Sequence, residues 1–450
     1  MNTSLTSARV GGRFAVAAMM LCIAVSATAG EIDYRLSLGA GHSDNVNHAP
    51  TDEVDQDIAT AGLRFAFDQD SARVKADIIG DLAYYEYLDN AYDSDLVGNV
   101  DANALFALLP DRITWAFSEQ FGQSLTDPFR SDTPDNRENI NYFSTGPDFI
   151  VGLGSQMRLR FGARYALANY EVSPLDSAST GGQIALVRVL SDRSSVSLNA
   201  SLQQVEYDEA ALNSDFDQSE AFIRYDGAGA RTNLKIDAGY SQLDSDASAD
   251  TEGGAVVRVD ASRKISASST LVFVGGHEFA TTASSFANSD GGGGFDTAPG
   301  RQTADPFTYD HASLGWTFNR NVTGLGVTAT WSKNSYDSNP VLDQTLTTIS
   351  ARFRREMSPR TSLQLSLSRT GGEYEEPAPD YDELIAGASF SWRLARDLTI
   401  DVRYDFTDRN SDDPTTEYSE NRIWLTVGFG RGEPRSTRVA PTFGVDAGGN

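Results

Sequence analysis

The chain has 450 residues, with 36 Lys and Arg against 63 Asp and Glu, a formal net charge of −27 and 10% aromatic residues. So acidic a chain excludes nucleic acid as an expected partner, because that binding rests on neutralising phosphates with Lys and Arg. Evenly spaced aromatic and β-branched residues argue against disorder, and a lone cysteine excludes a disulfide-stapled secreted domain.

Residues 1–29 read as a cleaved secretory signal peptide: Arg9 and Arg13 precede the apolar run Phe14 to Val25, and Ala27, Thr28 and Ala29 follow. The run is too short to cross a bilayer as a helix, and nothing later reaches the ~18 apolar residues a crossing helix needs. Cleavage removes Cys22 and leaves 34 basic against 63 acidic residues, a net charge of −29. Solvated acidic loops account for this charge most simply; bridging of divalent cations or lipopolysaccharide is the alternative.

From Glu31 onward the dominant pattern has period 2, that of a strand with one apolar and one polar face. It begins in Ile32, Tyr34, Leu36, Leu38 and Ala40, then recurs in Ala61 to Phe67, Val100 to Leu108 and Met157 to Leu167. It continues through Leu363 to Leu367 and Ala386 to Leu394, and closes in Ile423, Leu425, Val427 and Phe429. Nine tight polar links, such as Pro110-Asp111 and Ser358-Pro359, alternate with ten longer acid-rich connections, such as Ser43 to Gln56 and Thr281 to Pro306. Nineteen connections imply twenty strands, with eighteen as the alternative count. An even number puts both barrel ends on the short-turn side, as in bacterial outer-membrane barrels with short periplasmic turns and long outer loops.

The expected fold is therefore all-β: a transmembrane, antiparallel, up-and-down outer-membrane barrel over residues 30–430, with 431–450 as a flexible periplasmic tail. The polar strand faces are rich in charge, as in Arg73, Lys75, Asp77 and Asp81. Twenty strands enclose a lumen too wide for side chains to fill, so that face meets water and the apolar face meets lipid. Phe65, Phe67, Phe106, Trp115, Phe117, Trp316, Phe318, Phe390 and Trp392 lie on apolar faces near short turns, where an inner aromatic girdle is expected.

Several segments resemble the β-barrel porin 2 family, outer-membrane barrels associated with exopolysaccharide and exosortase loci. They are Gly41-His42-Ser43-Asp44-Asn45-Val46 after the first strand, the strand Trp115 to Phe121, and Asn139 to Tyr142 leading to Gly146-Pro147. These cover roughly the first third of the chain. The resemblance implies an outer-membrane conduit serving polysaccharide export and carries over no catalytic residue. His42 departs from the family pattern, in which Tyr or Glu is commoner.

Candidate chemistry is sparse. His42, Ser43 and Asp44 put a base beside a hydroxyl and an acid, but neighbours on a strand point to opposite faces, so no triad is expected and the chain is not read as an enzyme. His277 and His311 on neighbouring strands, and Asp244, Asp246 and Asp250, match no metal motif, and no cofactor is expected. Gly291 to Gly294 lie in the longest loop, which is expected either to be flexible or to fold inward and narrow the lumen.

The candidate lumen-lining set is Arg158, Arg160 and Arg164 on one strand, Arg352 and Arg354 on another, and Asp77, Asp101, Asp237 and Asp401 elsewhere; opposed charges of this kind select solutes. Tyr85 and Tyr87 share an inner face and are candidates for a sugar track. Expected partners are outer-membrane lipid and lipopolysaccharide, the barrel-assembly machinery, and a polysaccharide secretion apparatus. The leading functional expectation is a porin-like conduit for exopolysaccharide, ahead of small-solute uptake and of a non-conducting structural or adhesive barrel.

Overall fold

A computed structural model describes residues 30–127, 129–210, 212–246, 251–288, 303–337 and 339–432. The alternating segments form β1 Glu31–Ser43, β2 Gln56–Asp70, β3 Val74–Tyr87, β4 Asp95–Leu109, β5 Ile113–Leu125, β6 Arg137–Gly152 and β7 Met157–Tyr170. Next come β8 Ser177–Ser191, β9 Ser194–Tyr207, β10 Phe216–Ala228, β11 Thr232–Ser245, β12 Glu252–Ser266, β13 Ser269–Ala280 and β14 Phe307–Arg320. The last are β15 Thr323–Ser335, β16 Gln344–Ser358, β17 Thr361–Tyr374, β18 Tyr381–Arg393, β19 Leu398–Ser411 and β20 Tyr418–Arg431. A short helix, α1 Thr282–Asn288, follows β13. The proposed signal peptide, Gly291 to Gly294, Asp250 and most of the tail lie outside the described residues.

Each strand pairs antiparallel with the next, and β1 also pairs with β20, from Tyr34 opposite Arg431 to Ser43 opposite Arg422. The twenty-stranded sheet thus closes on itself and leaves no edge with unpaired backbone groups. The count settles at twenty, not eighteen. Nine connections have two to four residues and ten have six to twenty-six, on opposite ends of the barrel. Two of the short turns are local in origin: Asp111 (φ 60°) and Asn321 (φ 52°) take the left-handed backbone that, after glycine, Asx residues tolerate best.

Register fixes the two faces, because directly opposed residues share a side. The row Phe67, Ile78, Ala102, Glu119, Phe143 runs across β2 to β6 on the outside. Leu38, Leu198, Leu202, Ile223 and Leu425 also point outward, each more than half exposed. Apolar exposure on this scale marks a surface that contacts a partner or a membrane. The nine candidate girdle aromatics all lie on this face near short turns, and Trp115 and Trp316 donate their indole N–H groups to Thr145 and Ser269, each at 2.8 Å.

Strands of 12–16 residues rise roughly 3.3 Å per residue, and at a tilt near 40° they span roughly 30–40 Å, enough to cross a membrane. Spacing strands by ~4.8 Å at that tilt gives twenty of them a circular diameter of roughly 40 Å. No helix of the described residues is long and apolar enough to cross a membrane.

Candidate functional site: the lumen and its closed mouth

Register turns all eleven candidate lumen residues to the inner face, and burial then separates them. Arg352 and Arg354 are exposed, and Arg354 stands 3.8 Å from Glu356. Arg158, Arg160 and Arg164 are half-buried; Arg164 donates to Asp148 at 2.6 Å and to the carbonyl oxygens of Pro147 and Ala163. Asp401 lies 4.0 Å from Arg35. Asp77, Asp101 and Asp237 are only 2%, 2% and 1% exposed, so they do not present charge to a passing solute.

Asp237 shows why. Arg224 grips it with two N–H donors at 2.7 Å, and Arg258 stands 3.8 Å away while also binding Glu220 at 2.8 Å and Glu278. Bidentate guanidinium–carboxylate pairs of this kind neutralise each other locally and stiffen the wall. Strands β7 and β16 are nine apart in one direction and eleven in the other. The two arginine strands therefore face each other across the barrel rather than opposing the aspartates.

The aromatic residues gather below the mouth. Tyr85 meets Trp424 edge-on at 5.7 Å, and Tyr87, 7% exposed, meets Tyr92 at 5.6 Å. Tyr374 and Tyr381 stack at 6.1 Å, with the Arg409 guanidinium 3.8 Å above the Tyr381 ring. All but Tyr92 project inward from β17, β18, β20 and β3, an arc the sequence reading found only in part, at Tyr85 and Tyr87. Its signal was available: each aromatic stands among the polar residues of its strand.

Above this arc the long connections fold into the barrel. The β5–β6 connection, residues 126–136, is held by Asn136, whose side chain bonds the backbone of Asp127 and Ser131. Arg137 donates to Asp132 at 2.5 Å. Its tip carries Phe129, which meets Tyr374 of β17 edge-on at 5.0 Å. The β5–β6 loop and the β17 wall thus meet through side chains inside the barrel.

The β1–β2 connection docks beside it. His48 is 6% exposed, lies flat on Tyr418 at 4.0 Å, and places Nε2 3.1 Å from Glu420 Oε2. Glu420, 2% exposed, also accepts from Ser43 and, at 2.6 Å, from Arg422. Asp132 at the tip of the crossing loop lies within electrostatic reach of both His48 and Arg422. Burial pushes the His48 imidazole below its ordinary value, only partly opposed by its bond to Glu420.

The β13–β14 connection folds inward from the other side. Phe286 of α1 and Ala304 pack against Ile140, Ala168, Tyr170, Val205, Tyr207, Phe216 and Leu243, inward residues of β6, β7 and β9 to β11. The Tyr207 hydroxyl donates to the Ala304 carbonyl oxygen at 3.1 Å. The described parts of this loop thus lie within the mouth. Sequence reasoning singled out this connection but missed the equally inward β5–β6 loop.

The remaining histidines separate cleanly. His42 points outward to Asp57 at 2.9 Å while Ser43 points inward to Glu420, so the two belong to different faces. His277 points outward to Asp310 at 2.6 Å, whereas His311 points inward and stacks on Tyr309 at 4.6 Å. Neither pair converges on one point, and no cluster of three or more potential metal ligands occurs among the described residues.

Charge is divided by end. The ten long connections hold 27 acidic and 2 basic residues, net −25, whereas the nine short turns hold 3 acidic and 6 basic, net +3. Almost all the excess acid thus belongs to the long connections.

A scan against protein-family models finds no match, and a search of curated proteins finds none. Among solved structures, the chain is similar to the siderophore receptor PirA of Acinetobacter baumannii, with TM-score 0.47, 7% identity, 89% of this chain and 80% of that one covered. It is also similar to the ferric enterobactin receptor PfeA of Pseudomonas aeruginosa, with TM-score 0.46, 9% identity and the same coverage. The copper transporter OprC gives TM-score 0.43 and 13% identity over 90% of this chain and 80% of that one. Similarity of this degree goes no further than a barrel of comparable size.

Proposed function

We propose that this chain is an outer-membrane conduit whose resting state is closed at the loop side, and that its cargo is a polysaccharide leaving the cell. The carrying observation is the closed twenty-stranded sheet, apolar outside and polar inside. In hydrocarbon every backbone polar group must be satisfied internally, and a closed barrel is one of two folds that manage it. The acidic loops then face outward and the basic short turns face the periplasm, with lipopolysaccharide as the outer neighbour.

The glycan part of the reading rests on the arc of Tyr85, Trp424, Tyr381 and Tyr374 together with the family resemblance, since sugars stack on aromatic faces. Residues held by Phe129 and α1 must move before anything passes. A second reading, a non-conducting structural barrel, is favoured by that same closure.

Refolded protein in a planar bilayer tests both. The conduit reading expects rare openings that lengthen in a variant lacking residues 127–135 and that a neutral polysaccharide blocks. A folded variant that never conducts would leave only the structural reading.

A further inference from the structure

On the outer face of β8 to β11, toward their long connections, the wall carries a depression of about 580 Å³. Two rows of directly opposed residues line it across the four strands: Thr180, Gln204, Asp217 and Asp244 in one, Gly182, Leu202, Ser219 and Gln242 in the other. Leu202 points outward, and opposed partners and residues two positions along share its side. Asp217 stands roughly 30 Å from the short turn of its strand at the rise and tilt given above. That is the headgroup level of a bilayer with a hydrocarbon core ~30 Å thick. From this we infer a lipid site: the depression takes the sugar headgroup of a glycolipid of the outer leaflet.

Three observations support the assignment. First, the polar side chains here are left open. Thr180, Gln204, Asp217, Gln242 and Asp244 are exposed. Of the six polar side chains in the two rows, only Asp244 has a hydrogen-bond partner among the described residues, the Thr251 hydroxyl. Elsewhere toward the long connections outward polar groups are paired: His42 with Asp57 at 2.9 Å, Arg369 with Asp382 at 2.8 Å, Tyr404 with Asn421 at 2.5 Å.

Second, the chemistry favours sugar hydroxyls. Asp217 and Asp244 stand directly opposite each other, and like charges so placed repel. Hydroxyls that donate to both carboxylates relieve that repulsion, whereas an anionic headgroup adds to it. The Gln204 and Gln242 amides donate and accept beside them. Third, the depression continues into a shelf for acyl chains. Gly182 adds no side chain, and a Cβ there would lie 3.9 Å from the Gly162 carbonyl oxygen, its nearest listed neighbour in space, so the floor is open. The next row toward the short turns is Ile184, Ala200, Ala221 and Tyr240, and beyond it Leu198 and Ile223 are 60% and 57% exposed.

The lipid site deepens the outer-membrane reading and rests on it only for the leaflet that supplies the lipid. The full mature chain, refolded in tetraethylene glycol monooctyl ether, a detergent without sugar, is titrated with glucosyl diacylglycerol, and retained lipid is read by native mass spectrometry. One saturable glucolipid is expected. Asp217→Ala/Asp244→Ala should weaken it roughly tenfold through the loss of two hydrogen bonds. Arg369→Ala/Asp382→Ala, which removes a paired set elsewhere on the rim, should leave it unchanged. Heat-modifiable gel mobility confirms that each variant is folded.

Absence of a saturable glucolipid, or equal loss in both double variants, overturns the site. Diacylglycerol with the same chains should be retained roughly tenfold more weakly; equal retention would leave only an acyl groove and overturn the headgroup. Phosphatidylglycerol, with and without calcium, should also be retained weakly. Retention that calcium raises above that of the glucolipid would reassign the aspartates to a cation-bridged phosphate and overturn the sugar. A barrel that conducts but retains no glucolipid refutes this site alone, and one that retains it without conducting refutes the conduit alone.

Discussion

Replacing Phe129 by alanine tests the closed mouth most directly, because this one ring joins the crossing loop to β17. The edge-to-face contact with Tyr374 at 5.0 Å contributes about 1 kcal/mol. Phe129 is half-buried, so truncation also removes about half the ~2 kcal/mol of a fully buried aromatic. The closed state should lose about 2 kcal/mol, which at 1.4 kcal/mol per decade lowers the closed-to-open ratio roughly thirtyfold. Single-channel recording in planar bilayers reads this as open probability at unchanged unit conductance. Arg130→Ala, which removes an exposed pair with Asp135 at 3.3 Å, should shift it by less than about fivefold. A folded Phe129→Ala barrel with wild-type open probability would refute the latch.

Other expectations follow from the same geometry. His48 is held neutral by burial, so its folded value lies below the ordinary 6.5. Its contribution is complete above pH 6.5 and is lost as pH falls through the folded value, so openings should increase at pH 5 relative to pH 7.5, an increase that His48→Gln abolishes. Glu420→Ala leaves the Arg422 guanidinium without its carboxylate at 2.6 Å and should cost about 3 kcal/mol in urea unfolding; a loss below 1 kcal/mol would show that the cluster is dispensable. Ile223, outward and 57% exposed at mid-strand, should cost about 2–4 kcal/mol as Ile223→Arg in vesicles, while the inward Gln203→Arg should be tolerated. Equal costs would contradict the assignment of faces.

Most of the barrel was legible in the sequence because a strand in a large barrel answers to local rules. Leu36, Leu38 and Ala40 alternate with polar neighbours whatever lies across the lumen, and turns such as Pro110-Asp111 announce themselves. Strand number, direction and facing all follow from such local signals. The mouth follows from none of them. Phe129 meets Tyr374 across the lumen, and His48 meets Glu420 across 372 residues of sequence, contacts that no periodicity encodes. The buried state of Asp77, Asp101 and Asp237 was equally invisible: alternation gives the side of the sheet but not what covers it. A clearer hint was present in Phe129 itself, an aromatic placed within an otherwise polar, acid-rich loop.

The pairing of β1 with β20 bears on how the molecule is made. Nineteen of the twenty strand pairs join neighbours in sequence and need only short loop closures. The twentieth joins residues about 390 positions apart, Ser37 with Gly428 among them, and is fastened at its outer end by Asp44, which accepts from the Asn421 backbone and side-chain amides at 2.7 and 2.8 Å. Pairing over so long a separation is slow, and until it forms two adhesive edges stay open. Folding is therefore a zipper with one late, all-or-nothing clasp. A chain that lacks its final strand forfeits the whole enclosure rather than one-twentieth of it, so helper proteins that shield both edges until the last strand arrives would act on the step that limits its biogenesis.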